Sequence, residues 1–268
     1  MTLLILVLLG LAAGIIAGFF GVGGGILFSP ILFFLFTSVD VASPVSWTVG
    51  TALFCTFIAS VSSSIQQRQS KNIYWREGIL IGILGALGVY AGKRIVLSPI
   101  YTETVFVSFF VVLLLFVSFM FYQRSKKKED AISGQAELTT IKRVNTGFFG
   151  GVVAALAGVG GGVVMVPAMN LLYKLDIAMA VSISSLAIVI ISLSGWLQYA
   201  FLVDATAGIT SFAIGFVDFG TSLPLVGGAF VGGIAGVKIN RRVKGENVQK
   251  GFSILVIGIA AALILSLF

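Results

Sequence analysis

The chain alternates long stretches that carry no charge with short ones in which charge is concentrated. Apolar segments fall at about 3–20, 24–37, 45–65, 78–97 and 103–122, and again at about 144–157, 161–174, 178–202, 219–238 and 250–268. Several approach or exceed the roughly 20 residues that carry a helix across a bilayer core. The pattern predicts an all-α polytopic integral membrane protein.

The polar stretch between the two groups, residues 123–143, sets Arg124, Lys126, Lys127, Lys128, Lys142 and Arg143 against Glu129, Asp130 and Glu137. It reads as a linker joining a first transmembrane repeat, 1–122, to a second, 144–268. The halves share a signature. Gly21-Val22-Gly23-Gly24-Gly25 reaches Pro30 after four residues, and Gly158-Val159-Gly160-Gly161-Gly162 reaches Pro167 at the same spacing. Asp40-Val41-Ala42 matches Asp176-Ile177-Ala178, and the glycine-rich run Gly88 to Arg94 matches Gly232 to Lys238. Matches in the same order argue for internal duplication.

Composition narrows the class. Of 268 residues, 58% are hydrophobic and only 10% charged, where a soluble domain carries about 25%. The net charge of +7 sits in a few loops, which is the distribution of topology determinants and not of a nucleic-acid surface. The loop with Arg68, Lys71 and Arg76, the linker, and the loop with Arg241, Arg242 and Lys244 are expected on the cytoplasmic side. Both termini then lie outside and the halves enter from opposite sides, as two inverted repeats, each with a glycine-broken helix pair. Lys93 and Arg94 fall near the outer face, where snorkelling accommodates them. Met1-Thr2-Leu3 lacks the basic start of a signal peptide and reads as the beginning of a mature helix. There is no histidine and Cys55 is the only cysteine. These absences leave no thiolate metal cluster and no usual general base, so neither an enzyme, a metal nor a cofactor is expected. The Gly-Val-Gly-Gly-Gly run lacks the preceding strand of a dinucleotide fingerprint.

Three adjacent glycines are poor helix interior, so each motif is expected to break a helix. Helices restarting at Ile26 and Val163 would present unpaired N–H groups and a positive dipole end. Two such breaks meeting near the midplane would form an anion site from Gly23, Gly24, Gly25 and Ile26 with Gly160, Gly161, Gly162 and Val163. The competing reading is a packing device. Hydroxyls punctuate two spans, at Ser46, Thr48, Thr51, Thr56 and Ser60 and at Ser182, Ser184, Ser185, Ser192 and Ser194. They either bond back to their own helix or line a path. Ser46, Thr51, Ser182 and Ser185 are the expected substrate contacts. Gln66, Gln67 and Gln198 end those helices and are candidates either for gating or orienting a substrate or for capping at the interface. Asp218, set among apolar residues, is a candidate coupling carboxylate or an interfacial loop residue. Asp40 and Asp176 suit helix N-caps. Trp47, Trp75, Trp196, Tyr74 and Tyr199 suit headgroup-level anchors, and Cys55 suits core filling.

With these motifs the chain resembles the TauE/SafE family of membrane transporters, associated with export of sulfite and organosulfonates. The resemblance rests on the two glycine motifs, on Val49-Gly50-Thr51, on Asn72-Ile73-Tyr74-Trp75 and on Gly92-Lys93-Arg94. It departs at Tyr74, where the family pattern has aspartate, and at Val181 to Ser185, in place of a Gly-Thr-Ser type run. The resemblance implies a secondary transporter in the cell membrane, exporting a small sulfur-containing oxyanion by alternating access. Its partners would be that anion and the lipid bilayer. A passive anion channel and a non-transporting partner subunit are the alternatives.

Overall fold

A computed structural model gives the structure of residues 2–20, 25–69, 74–126, 138–202, 208–240 and 245–266. The expected apolar segments are all helices, within a few residues at each end. In the first half these are α1 (Thr2–Phe20), α2 (Gly25–Ser38), α3 (Pro44–Gln69), α4 (Trp75–Val96) and α5 (Glu103–Lys126). In the second they are α6 (Thr140–Ala157), α7 (Gly162–Pro167), α8 (Ile177–Ala200), α9 (Phe219–Asn240) and α10 (Gly245–Leu265). Five helices, α3, α4, α5, α8 and α9, are long and apolar enough to cross a membrane, and shorter apolar helices accompany them. The protein is an all-α, multi-pass membrane protein.

Chain direction follows from where glycines let backbones touch. Gly10 and Gly14 of α1 lie against the backbone of Leu225 and Ala229 of α9, while Gly228, Gly232 and Gly236 of α9 lie against Val7, Leu11 and Ile15. Positions ascend together, so α1 and α9 run parallel. Likewise Gly88 of α4 meets Phe148, and Gly147 and Gly151 of α6 meet Ile81 and Gly85. The first helix of each half thus packs along the fourth helix of the other. Such small-residue seams let dispersion replace the missing hydrophobic drive between helices in lipid. Between the halves, α3 and α8 run antiparallel, with Gly50 against Tyr199 and Gly195 against Leu53. Tyr101, in the connection between α4 and α5, donates to the Leu156 carbonyl at 2.9 Å. Burial raises its phenol well above the ordinary range, so the bond persists at any physiological pH.

Two elements differ from expectation. Proline lacks the N–H that continues an α-helix, and after Pro167 the chain passes into a π-helical turn, Ala168–Leu172. The connection from α8 to α9 holds a short hairpin, β1 (Ala213–Ile214) paired antiparallel with β2 (Val217–Asp218).

Asp176 caps α8 as expected, its carboxylate accepting from the N–H groups of Ala178 and Met179. Asp40 does not cap. It sits past the end of α2 in the left-handed region, φ 56°, and α3 begins only at Pro44. Trp47 is no interfacial anchor either: it is fully buried between Phe36 and Phe216, with ring centroids at 5.9 and 5.4 Å. Tyr199 is equally buried, whereas Trp75 is half exposed. Cys55 is fully buried in the core.

Candidate functional site

The second glycine motif shows how the break is made. Gly158 ends α6 in the left-handed conformation, with its N–H on the Ala154 carbonyl at 2.8 Å. Gly160 and Gly161 follow at φ 70° and 76°, a region costly to any residue with a Cβ. The chain therefore turns between two helices in four residues. Helix α7 starts at Gly162, one residue before the expected Val163, and Val164 and Met165 donate to the Gly161 carbonyl at 3.1 and 3.0 Å. In the first motif α1 ends at Phe20 and α2 starts at Gly25, one residue before Ile26. Gly23 and Gly24 lie outside the described residues.

The two motifs meet. A Cβ on Gly25 would stand 2.8 Å from the Val159 carbonyl oxygen and 3.2 Å from Thr56 Oγ1. One on Gly158 would stand 2.7 Å from Ser29 Oγ and 3.0 Å from Ala52 Cβ. Thr56 is shared by both, since its hydroxyl donates to the Gly158 carbonyl at 3.4 Å and its methyl faces Gly160. Ile188 of α8 closes the other side, against Gly160 and Gly162. Gly25 to Pro30 and Gly158 to Gly161 are all buried. Thr56 is the thirteenth of 26 residues in α3 and Ile188 the twelfth of 24 in α8, so the junction lies at half height of both helices. Backbone groups freed by the breaks face protein there, as the interior of a bilayer requires.

The expected hydroxyl contacts are spread more widely. Ser46 lies ten residues before Thr56 on α3, roughly 15 Å along the axis at the helical rise, and is not at the junction. Ser182 is buried and lies six residues before Ile188. Ser185 donates to the Val181 carbonyl at 2.8 Å, and Ser60, Ser184 and Ser192 also bond to carbonyls three or four residues back. For these the helix itself takes the proton. Gln198 Nε2 donates to Ser194 Oγ at 2.9 Å near the end of α8. Gln67 is within α3, and its side chain lies outside the described residues.

Thr51 and Asp218, taken separately in the sequence, belong together. Thr51 Oγ1 accepts from the Asp218 N–H at 3.1 Å. The fully buried Asp218 carboxylate accepts from the N–H groups of Thr210 and Thr221 at 3.0 Å each, and from the Thr210 hydroxyl. Asp218 is thus the N-cap of α9 and the knot that ties hairpin β1–β2 onto α3. Phe216 completes the tie, its N–H on the Tyr199 carbonyl at 3.0 Å.

Two residues at the junction, Ser29 and Thr56, fall outside the expected contact set. The signal that would have found Thr56 is its place midway along a spanning helix, level with a midplane break.

Among the described residues no group of three or more acidic, histidine or cysteine side chains is placed to hold a metal.

Comparison with known proteins agrees with this architecture. The family model described as "Sulfite exporter TauE/SafE" matches residues 6–263. The chain is 30% identical to a "Probable membrane transporter protein" of Methanocaldococcus jannaschii, over 91% of this chain and 89% of the relative. It is 28% identical to the "Probable membrane transporter protein YunE" of Bacillus subtilis, over 98% of each. A third relative, a "Probable membrane transporter protein" of Haemophilus influenzae, is 24% identical over 96% of each. No solved structure matches the chain.

Proposed function

Starting from the fact that the chain belongs to the sulfite exporter TauE/SafE family and is a membrane transporter, we propose that it exports a small sulfur-containing oxyanion, such as sulfite or an organosulfonate. The observation that carries this reading is the meeting of the two glycine motifs at half height of α3 and α8, with the start of α2 and the turn leading into α7 brought to one buried place. Orphan N–H groups in the first turn of a helix, with the positive end of its dipole, bind anions without a buried cationic side chain. Backbone donors suit an exporter, because they replace only part of the anion's hydration and so permit release.

The mechanism proposed is alternating access in an inverted repeat. The reciprocal pairs α1 with α9 and α4 with α6 support two bundles built alike, and the antiparallel α3 and α8 lie between them. Movement of one bundle against the other would open the junction to each side in turn. With the linker cytoplasmic and both ends of the chain outside the cell membrane, an inside-negative potential favours exit of an anion by about 2.3 kcal/mol per charge per 100 mV.

The test is flux in proteoliposomes, comparing sulfite, sulfate, methanesulfonate and acetate for the wild type, Gly25→Ala and Gly162→Ala. Saturable sulfite or sulfonate flux, lost in both variants while each remains monodisperse, is the expected result. Flux linear in concentration would identify a channel. No flux, together with a stoichiometric co-purifying protein, would identify a partner subunit.

A further inference from the structure

We propose that Ser29 is a specificity-determining residue of the transport site, its hydroxyl donating a hydrogen bond to one oxygen of the bound oxyanion. The proposal rests on the reading of the motif junction as an anion site and adds a side chain to it. Four observations on the page converge. Ser29 is fully buried and its Oγ has no hydrogen-bond partner among the described residues. It stands one turn into α2, a helix of 14 residues, next to the N–H groups that the helix start leaves unpaired. Its Oγ points across the junction, 2.7 Å from where a Cβ on Gly158 would be. Last, its hydroxyl is left unspent at the junction, whereas Ser60, Ser184, Ser185 and Ser192 donate to carbonyls of their own helices, and other buried hydroxyls without a partner, such as Thr48 and Ser222, are not among the nearest neighbours of the described motif glycines.

The duplication shows that folding does not call for this hydroxyl. Counting from the glycine runs, the position of Ser29 is taken in the second half by Val166, each directly before its proline. An apolar side chain thus serves the same place in the break, and the first half carries an unpaired donor there instead. A buried hydroxyl without a partner costs stability, and a ligand that accepts from it removes the cost on binding. The ligand class follows from the geometry of two donor sets. An anion with at least two bare oxygens can take the α2 N–H groups on one and Ser29 on another. Chloride can accept from several donors at one point but cannot spread over two oxygens, so a Ser29 hydroxyl placed to reach a second oxygen favours oxyanions over halides.

The experiment compares wild type, Ser29→Ala and Ser192→Ala as purified full-length protein. Sulfite and methanesulfonate flux is measured in liposomes with and without chloride, and thermal unfolding with and without sulfite. For Ser29→Ala the expected result is a KM for both oxyanions raised about tenfold at a maximal rate within twofold, with chloride competing more strongly. Its unfolding temperature without ligand is equal or higher, and the rise produced by sulfite is smaller. Ser192→Ala, whose hydroxyl is already spent on the Ile188 carbonyl, stays within twofold of wild type. Should Ser29→Ala not fold, Ser29→Cys keeps the volume with a weaker donor and is read the same way. An unchanged KM, or a lowered ligand-free unfolding temperature with an undiminished sulfite shift, would overturn the role of Ser29 and leave the anion site standing. Absence of saturable oxyanion flux in the wild type would overturn the site reading and this proposal with it.

Discussion

Asp218 is the one fully buried charged side chain among the described residues, and its carboxylate accepts from Thr210 and Thr221 close by in the chain. A carboxylate that caps a helix and holds a hairpin loses both roles when its acceptors are removed. Asp218→Ala is expected to cost about 1–2 kcal/mol, in line with lost N-caps, measured as a lower unfolding temperature in detergent. Thr51→Val leaves the Asp218 N–H buried without an acceptor and is expected to cost about 1–3 kcal/mol. The Thr51 bond uses the Asp218 backbone N–H, which the side-chain change keeps; the two are coupled through the position of the hairpin, so the double variant should lose less than the sum of the singles. A fully additive result would separate them. Cys55 gives a cleaner test of packing. It is fully buried, and a thiol without access to solvent is inert. Maleimide should label it in denaturant and leave it unlabelled in the folded protein.

At the level of elements, the glycines divide by what a side chain would meet. On Gly88 a Cβ would run into the Phe148 backbone, and on Gly232 into that of Leu11. Gly88→Leu and Gly232→Leu should each force a parallel helix pair apart and abolish a monodisperse peak in size-exclusion chromatography. Gly227 lies on the same helix as Gly232 but has nothing within 4 Å of its added Cβ. Gly227→Ala should therefore leave the fold intact and raise stability by about 0.4–1 kcal/mol through the unfolded chain. Equal damage from Gly227→Ala and Gly232→Leu would remove close approach as the reason for the seam. The same contrast explains the hydroxyl helices. A serine on a helix in an apolar setting has its own carbonyls as the nearest acceptors, and four of the spaced hydroxyls, Ser60, Ser184, Ser185 and Ser192, are spent in this way.

For the whole molecule, the proposed orientation makes a prediction about sides. Ile100, in the connection between α4 and α5, is 82% exposed, and Ser133 lies in the linker. With the native Cys55 sealed, Ile100→Cys should react with a membrane-impermeant maleimide on intact cells, and Ser133→Cys only after permeabilisation. The reverse pattern would invert the molecule and, with it, the sense in which the membrane potential drives anion movement. Lys93 and Arg94 then stand at the outer end of α4, gathered on Tyr90, with Arg94 donating to its hydroxyl at 2.8 Å and Lys93 over its ring at 5.4 Å. Cations in the last turn offset the negative end of the helix dipole, which accounts for basic residues on that side.

Hydrophobic runs, glycine breaks and charged loops were enough to read ten helices and their approximate ends from the sequence, because span length and helix interruption are local properties of the chain. The start of α2 and of α7 came within one residue for the same reason, since adjacent glycines stop a helix wherever they stand. Asp176 was legible as a cap from its place before an apolar run. Asp40 was not distinguishable from it by type, and only the backbone, left-handed at Asp40, separated them. What tertiary structure alone decided is which surfaces meet. The pairing of α1 with α9 and α4 with α6, the burial of Trp47, the tie between Thr51 and Asp218, and the crossing of both motifs at Thr56 with Ser29 beside it all join residues far apart in the chain. Side-chain chemistry names the groups that can bond, but geometry across the fold chooses their partners, and a donor left over after that choice, as at Ser29, is visible only in three dimensions.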